Sequence, residues 1–131
     1  MDFGRHYDPQ PMHTDMARAA QGPFGSLIAS GWHIAAVSVR VFVEAGGYGK
    51  TPVVGLGIDE LRWQRPVKAG DVLTFTREVV ELRRSASNPG HGIVRNRITA
   101  RNQNGESVMT LIASGRVTAR PARAEPGAAG S

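Results

Sequence analysis

Apolar residues at Trp32, Ala35, Ala36, Val39 and Val43 keep the i, i+3, i+4, i+7 spacing of one helical face. The spacing predicts a helix from residue 31 to about residue 45, with that face turned toward a core. Ser30 suits its N-cap, and Gly46-Gly47 supplies a stop. Beyond it the period shortens, and extended segments are predicted over 53–64, 72–84, 93–102 and 108–119. In the third, Arg95, Arg97, Thr99 and Arg101 alternate with Val94, Ile98 and Ala100; in the last, Met109, Leu111, Ala113 and Val117 share a face. Asn104-Gly105 between them is a hairpin signal. Ahead of the long helix, residues 3–8 close a short helix. Thr14 or Asp15 can cap a second, running to about Gln21 and ended by Gly22-Pro23. One long helix followed by mostly antiparallel strands is α+β, a helix on one face of a sheet. Residues 120–131, rich in Pro, Ala and Gly, read as a disordered tail, which leaves 1–119 as a single domain.

Composition narrows this picture. The chain has 131 residues, enough for one domain with a core, and no apolar run approaches a membrane span. The polar start, Met1 to His6, does not read as a signal peptide. The absence of cysteine removes disulfides, thiolate metal sites and a cysteine nucleophile. A cytoplasmic protein is the expectation. Net charge is +5, carried almost wholly by arginine. That charge suits an anionic partner, nucleic acid or the phosphates of coenzyme A, but equally a general bias toward Arg, Ala and Gly. The arginines are scattered, without the interleaved aromatics of a single-strand binder, so no nucleic-acid partner is inferred.

The chemistry-bearing residues gather ahead of the long helix, between Tyr7 and His33. Asp8 and His13 are separated by Pro9 and Pro11. Each proline fixes its own φ and pushes the residue before it, Asp8 or Gln10, into extended backbone. A stiff loop carrying one acid and one imidazole can aim both at one spot. Taken singly, Asp8 is also an ordinary turn residue, His13 an ordinary partner for a helix start, and Gly31 ordinary packing. Other patterns fail. Gly46-Gly47-Tyr48-Gly49-Lys50-Thr51 imitates the end of a phosphate-binding loop, but Glu44 stands where its first glycine belongs. Gly55-Leu56-Gly57 lacks the third glycine of a dinucleotide motif and reads as a bend in a strand. His6, His13, His33 and His91 have no metal-ligand spacing, and His33 reads as a helix-packing residue.

The stretch Tyr7-Asp8-Pro9-Gln10-Pro11-Met12-His13-Thr14-Asp15, followed by Phe24-Gly25 and Ser30-Gly31-Trp32-His33, resembles the hydratase signature of MaoC-like, (R)-specific enoyl-thioester hydratases. Gln10 stands where that pattern carries Asn. The turn Pro66-Val67-Lys68-Ala69-Gly70-Asp71 before a long strand resembles the same family. The resemblance implies a hot-dog fold, an antiparallel sheet wrapped around one central helix, with the N-terminal element short or missing here. It implies a homodimer, and reversible hydration of a trans-2-enoyl thioester of coenzyme A or an acyl carrier protein, with no metal or redox cofactor. Asp8 and His13 would share a water and handle both protons, His13 as base. The Gly31 N–H would meet the thioester oxygen. Ser30, Trp32 and Ser38 would line the substrate site, with Val39 and the 53–61 strand completing an acyl tunnel. Arg62, Arg65 or Lys68 would meet phosphates or an acidic carrier. The alternatives are a hot-dog acyl-CoA thioesterase and a non-catalytic MaoC-like binding module or subunit.

Overall fold

The structure is a computed structural model and describes residues 1–46 and 53–118. Residues 47–51 of the rejected phosphate-loop pattern, with Gly47 of the expected helix stop, and the tail expected over 120–131 lie outside the described residues. Three short helices come first: α1 (Asp2–Tyr7), α2 (Pro11–Thr14) and α3 (Met16–Ala20). The long helix α4 (Gly31–Glu44) follows, then β1 (Val54–Trp63), β2 (Thr74–Arg84), β3 (His91–Arg101) and β4 (Ser107–Thr118). The sheet is fully antiparallel in the order β1-β4-β3-β2, so β1 and β2 are its edges.

The α+β expectation and the strands stand within two residues or so of their predicted ends. The predicted caps divide. Asp15 caps α3, its side chain accepting from Arg18 N at 3.0 Å, whereas Thr14 belongs to α2. Asn104-Gly105 closes the β3–β4 hairpin with Gly105 at φ 77°, and Gly46, at φ 75°, ends α4. The bend at Gly55 and Gly57 is real: the β1–β4 register slips between them.

The predicted orientation of α4 is corrected. Its buried stripe is Ile34, Ser38 and Phe42, whereas Trp32 is 56%, Val39 53% and Val43 55% exposed. The reason is that α4 is apolar on nearly every side, so spacing alone fits two faces. The polar Ser38 disguises the stripe that the sheet covers. Ile34 and Phe42 pack with Ile98, Ala100, Val108, Met109 and Leu111 in the core. Thr99, placed with the arginines by alternation, is buried as well. Arg95 and Arg97 do reach solvent and pair with Asp59 on β1, across β4 (3.0 Å), and with Glu78 on the adjacent β2 (3.0 Å). Among the described residues no helix is long and apolar enough to cross a membrane.

Candidate active site

The turn from α1 to α2 sets the acid against the imidazole. Asp8 caps α1, its N–H donating to Gly4 O at 2.8 Å. Gln10 is extended, as a residue before proline should be, and Pro11 takes the first helical position of α2. His13, two residues on, then lies with Nε2 3.3 Å from Asp8 Oδ2.

His13 is 6% exposed, and its other nitrogen is committed. Nδ1 lies 2.9 Å from Ile28 O. A carbonyl only accepts, so in the neutral ring Nδ1 carries the hydrogen and Nε2 keeps its lone pair toward Asp8. Ile28 is held in turn. Its N–H donates to Met12 O at 2.9 Å, and the neighbouring Ala29 N–H donates to Val67 O at 2.8 Å. The turn from Pro66 to Asp71 thereby anchors the carbonyl that anchors His13. From the other side α1 packs closely: a Cβ on Gly4 would stand 2.8 Å from His13 O. Only glycine permits that approach.

Asp8 accepts from Gln10 Nε2 at Oδ1 (2.9 Å) and from Ser30 Oγ at Oδ2 (2.8 Å). These two bonds, Gln10's the larger, hold its carboxyl below the ordinary carboxylate range against the cost of partial burial, with a smaller contribution from His13. Asp8 is therefore ionised at neutral pH. Ser30 does occupy the N-cap position of α4, but its side chain makes no cap bond. The expected N-cap position holds without a cap bond: the hydroxyl is drawn to the charged Asp8 acceptor and accepts from no α4 N–H.

Helix α4 begins beside this pair. Ser30 O accepts from His33 N (3.0 Å) and Ile34 N (3.4 Å), whereas Gly31 and Trp32 precede the first intrahelical bonds and have free-ended N–H groups by position. Gly31 is glycine for a steric reason: a Cβ would collide with the indole of Trp63, its Nε1 only 2.6 Å away. The indole lies across the helix tip and meets Trp32 edge-on, with centroids 5.2 Å apart and planes at 77°.

A cleft of ≈450 Å³ opens over these groups. Asp8, Gln10 and His13 supply its polar lining, and Met12, Phe24, Ile34, Trp63, Val67 and Val108 much of its apolar wall. Gly31, Trp32 and Arg65 line it too, and Ser30 joins through its bond to Asp8. A poised imidazole, a fixed carboxylate and helix-tip amides within apolar walls are the parts of proton transfer beside a developing oxyanion.

Two expected residues stay away. Ser38 is buried within α4, its hydroxyl donating to Ala35 O at 2.6 Å, and does not reach the catalytic pair. Two turns of helix separate it from Ser30. Arg62 lies in a small groove with Glu60 and Arg97 on the opposite face of the sheet, because successive strand residues point to opposite faces and Trp63 takes the cleft side. Arg65 is held by Glu106 at 3.6 Å, and Lys68 N donates to Asp71 at 2.9 Å. His33 packs, stacked on Phe3 at 4.9 Å. Trp63 and Gly4 carried no signal in the sequence, since each matters through a contact distant along the chain.

The family model described as "MaoC like domain" matches residues 1–102. This chain belongs to the MaoC-like family. Among its relatives, an uncharacterized protein, YdeM, from Bacillus subtilis is 35% identical over 81 residues, 62% of this chain and 57% of its own length. The chain thus spans little more than half of that relative. A MaoC-like dehydratase structure from Rhodospirillum rubrum superposes with a TM-score of 0.78 at 34% identity, covering 92% of this chain and 82% of that one. An (R)-hydratase from A. caviae superposes with a TM-score of 0.70 at 26% identity, covering 87% and 81%. The MaoC-like fold is the hot-dog fold the resemblance implied: here four antiparallel strands pack on one substantial helix, α4.

Proposed function

We propose that this MaoC-like chain reversibly hydrates a trans-2-enoyl thioester of coenzyme A or acyl carrier protein to an (R)-3-hydroxyacyl thioester. The observation that carries the proposal is the 3.3 Å approach of His13 Nε2 to an ionised Asp8, in a cleft shared with the tip of α4. The likeness to the A. caviae (R)-hydratase supports it.

In the forward direction a water held between Asp8 Oδ2 and His13 Nε2 gives a proton to Nε2 as its oxygen bonds to the β-carbon. Asp8 is held as a carboxylate, so it orients the water and stabilises the imidazolium; it is not the acid. The double-bond electrons move to the α-carbon and the thioester oxygen, where the Gly31 N–H and the helix dipole meet the charge. The imidazolium then returns the proton to the α-carbon, so water is added and the catalyst is restored.

A homodimer belongs to the same proposal. Val54 and Leu56 on the free edge strand β1 are about half exposed, as is Val43 of α4. An unpaired edge beside an apolar surface suits pairing with a second copy.

The test is incubation with crotonyl-CoA. Loss of enoyl absorbance with formation of (R)-3-hydroxybutyryl-CoA is expected. Release of free thiol from acyl-CoA without that loss would move the assignment to a thioesterase.

A further inference from the structure

We infer that Trp32 is a wall across the acyl path that restricts this site to short-chain enoyl thioesters. The inference deepens the hydratase reading and rests on it for the identity of the substrate. A second cleft of ≈510 Å³ lies beside the catalytic one, lined by Ala35, Val39, Ile58, Leu61, Leu111 and their neighbours. It holds much of the acyl tunnel expected from sequence, yet no catalytic group lines it. Its Ser38 hydroxyl is spent on Ala35 O. Such a surface suits hydrocarbon and little else.

Among the described residues, Trp32 is the one side chain that lines both clefts. Its ring is backed on one side. Trp32 rests edge-on against Trp63, and the Trp63 indole packs on Gly31, where a Cβ would collide with it. The two clefts meet at this indole, so a substrate with its double bond at Asp8 and His13 runs its hydrocarbon against Trp32 on the way to the second. A chain that ends before Trp32 fits; a longer one must displace a ring braced by a second ring. Removing the indole joins the clefts and roughly doubles the space open to the acyl group.

The test compares wild type with Trp32→Ala and Trp32→Leu, in binding and in turnover. Butyryl-, octanoyl- and dodecanoyl-CoA serve as ligands that cannot be hydrated, followed by tryptophan fluorescence. In both variants Trp63 is the sole remaining tryptophan, and it lines the catalytic cleft. Trp32 is 56% exposed, so the core survives its loss, and thermal melting checks this. Wild type is expected to favour butyryl over dodecanoyl. Trp32→Ala should shift that ratio toward the long chain by about tenfold or more, Trp32→Leu by less, since each ~1.4 kcal/mol is tenfold. Crotonyl-, octenoyl- and dodecenoyl-CoA hydration should follow the same order. Equal use of all chain lengths by wild type, or an unchanged ratio in a folded Trp32→Ala, overturns the wall and leaves the hydratase reading intact. Chain-selective binding without hydration by wild type supports the wall and removes the hydratase reading. The absence of both binding and hydration at every chain length overturns both.

Discussion

Gln10 and Ser30 decide the charge of Asp8. Their hydrogen bonds depress the carboxyl; a depressed carboxyl stays ionised until pH falls through its folded value, and the stability it contributes is lost over that same acid range. Gln10→Ala is therefore expected to raise the Asp8 carboxyl toward the ordinary value of about 3.9, read by NMR titration of that carboxyl. A titration that does not move would detach Gln10 from Asp8. Gly31→Ala drives a methyl group into the Trp63 indole and should cost about 1–3 kcal/mol in urea unfolding. Adding Trp63→Leu should restore most of that loss; no recovery would mean that the clash lies elsewhere. At this scale Asp8, His13 and Gly31 were legible because they stand in one continuous motif. Trp63 was not, because its contact with Gly31 joins the start of a helix to the end of a strand. Nothing local to either residue signals that contact.

Helix α4 shows how a hydrophobic pattern can be right about an element and wrong about its face. The run from Trp32 to Val43 is apolar nearly all round, so periodicity supports the helix but does not choose its orientation. The stripe that the sheet covers runs through Ser38, which supplies its own backbone acceptor and thereby tolerates burial. Ile34→Ala is expected to cost roughly 2–5 kcal/mol and Val43→Ala under about 1, measured by chemical denaturation at low protein concentration. Equal losses would place both faces in the core. Strand β1 illustrates the complementary case. Alternation there separates Arg62 from Trp63 and removes the arginine from the cleft, although charge alone had suggested it.

Across the whole molecule, the sheet order, the clamp of Pro66–Asp71 on Ile28 and Ala29, and the close seat of α1 on His13 serve one end. They hold a short loop rigid against the tip of one helix. The fold class and strand order of appearance were readable from sequence, whereas the exposed apolar surface of β1 and α4 emerged only with three-dimensional placement. That surface is expected to pair two copies. Sedimentation should give a dimer for wild type, and Leu56→Glu, which puts a charge on the half-exposed β1 surface, should shift it to monomer. A wild type that remains monomeric at micromolar concentration would leave that surface without a role. The central claim is that Asp8 and His13 act on one substrate within one cleft. Its most direct test is the rate of crotonyl-CoA hydration by wild type, Asp8→Asn and His13→Ala, each checked for native melting. The account predicts a wild-type rate that falls by about a hundredfold or more in each variant; folded variants that keep the wild-type rate would contradict it.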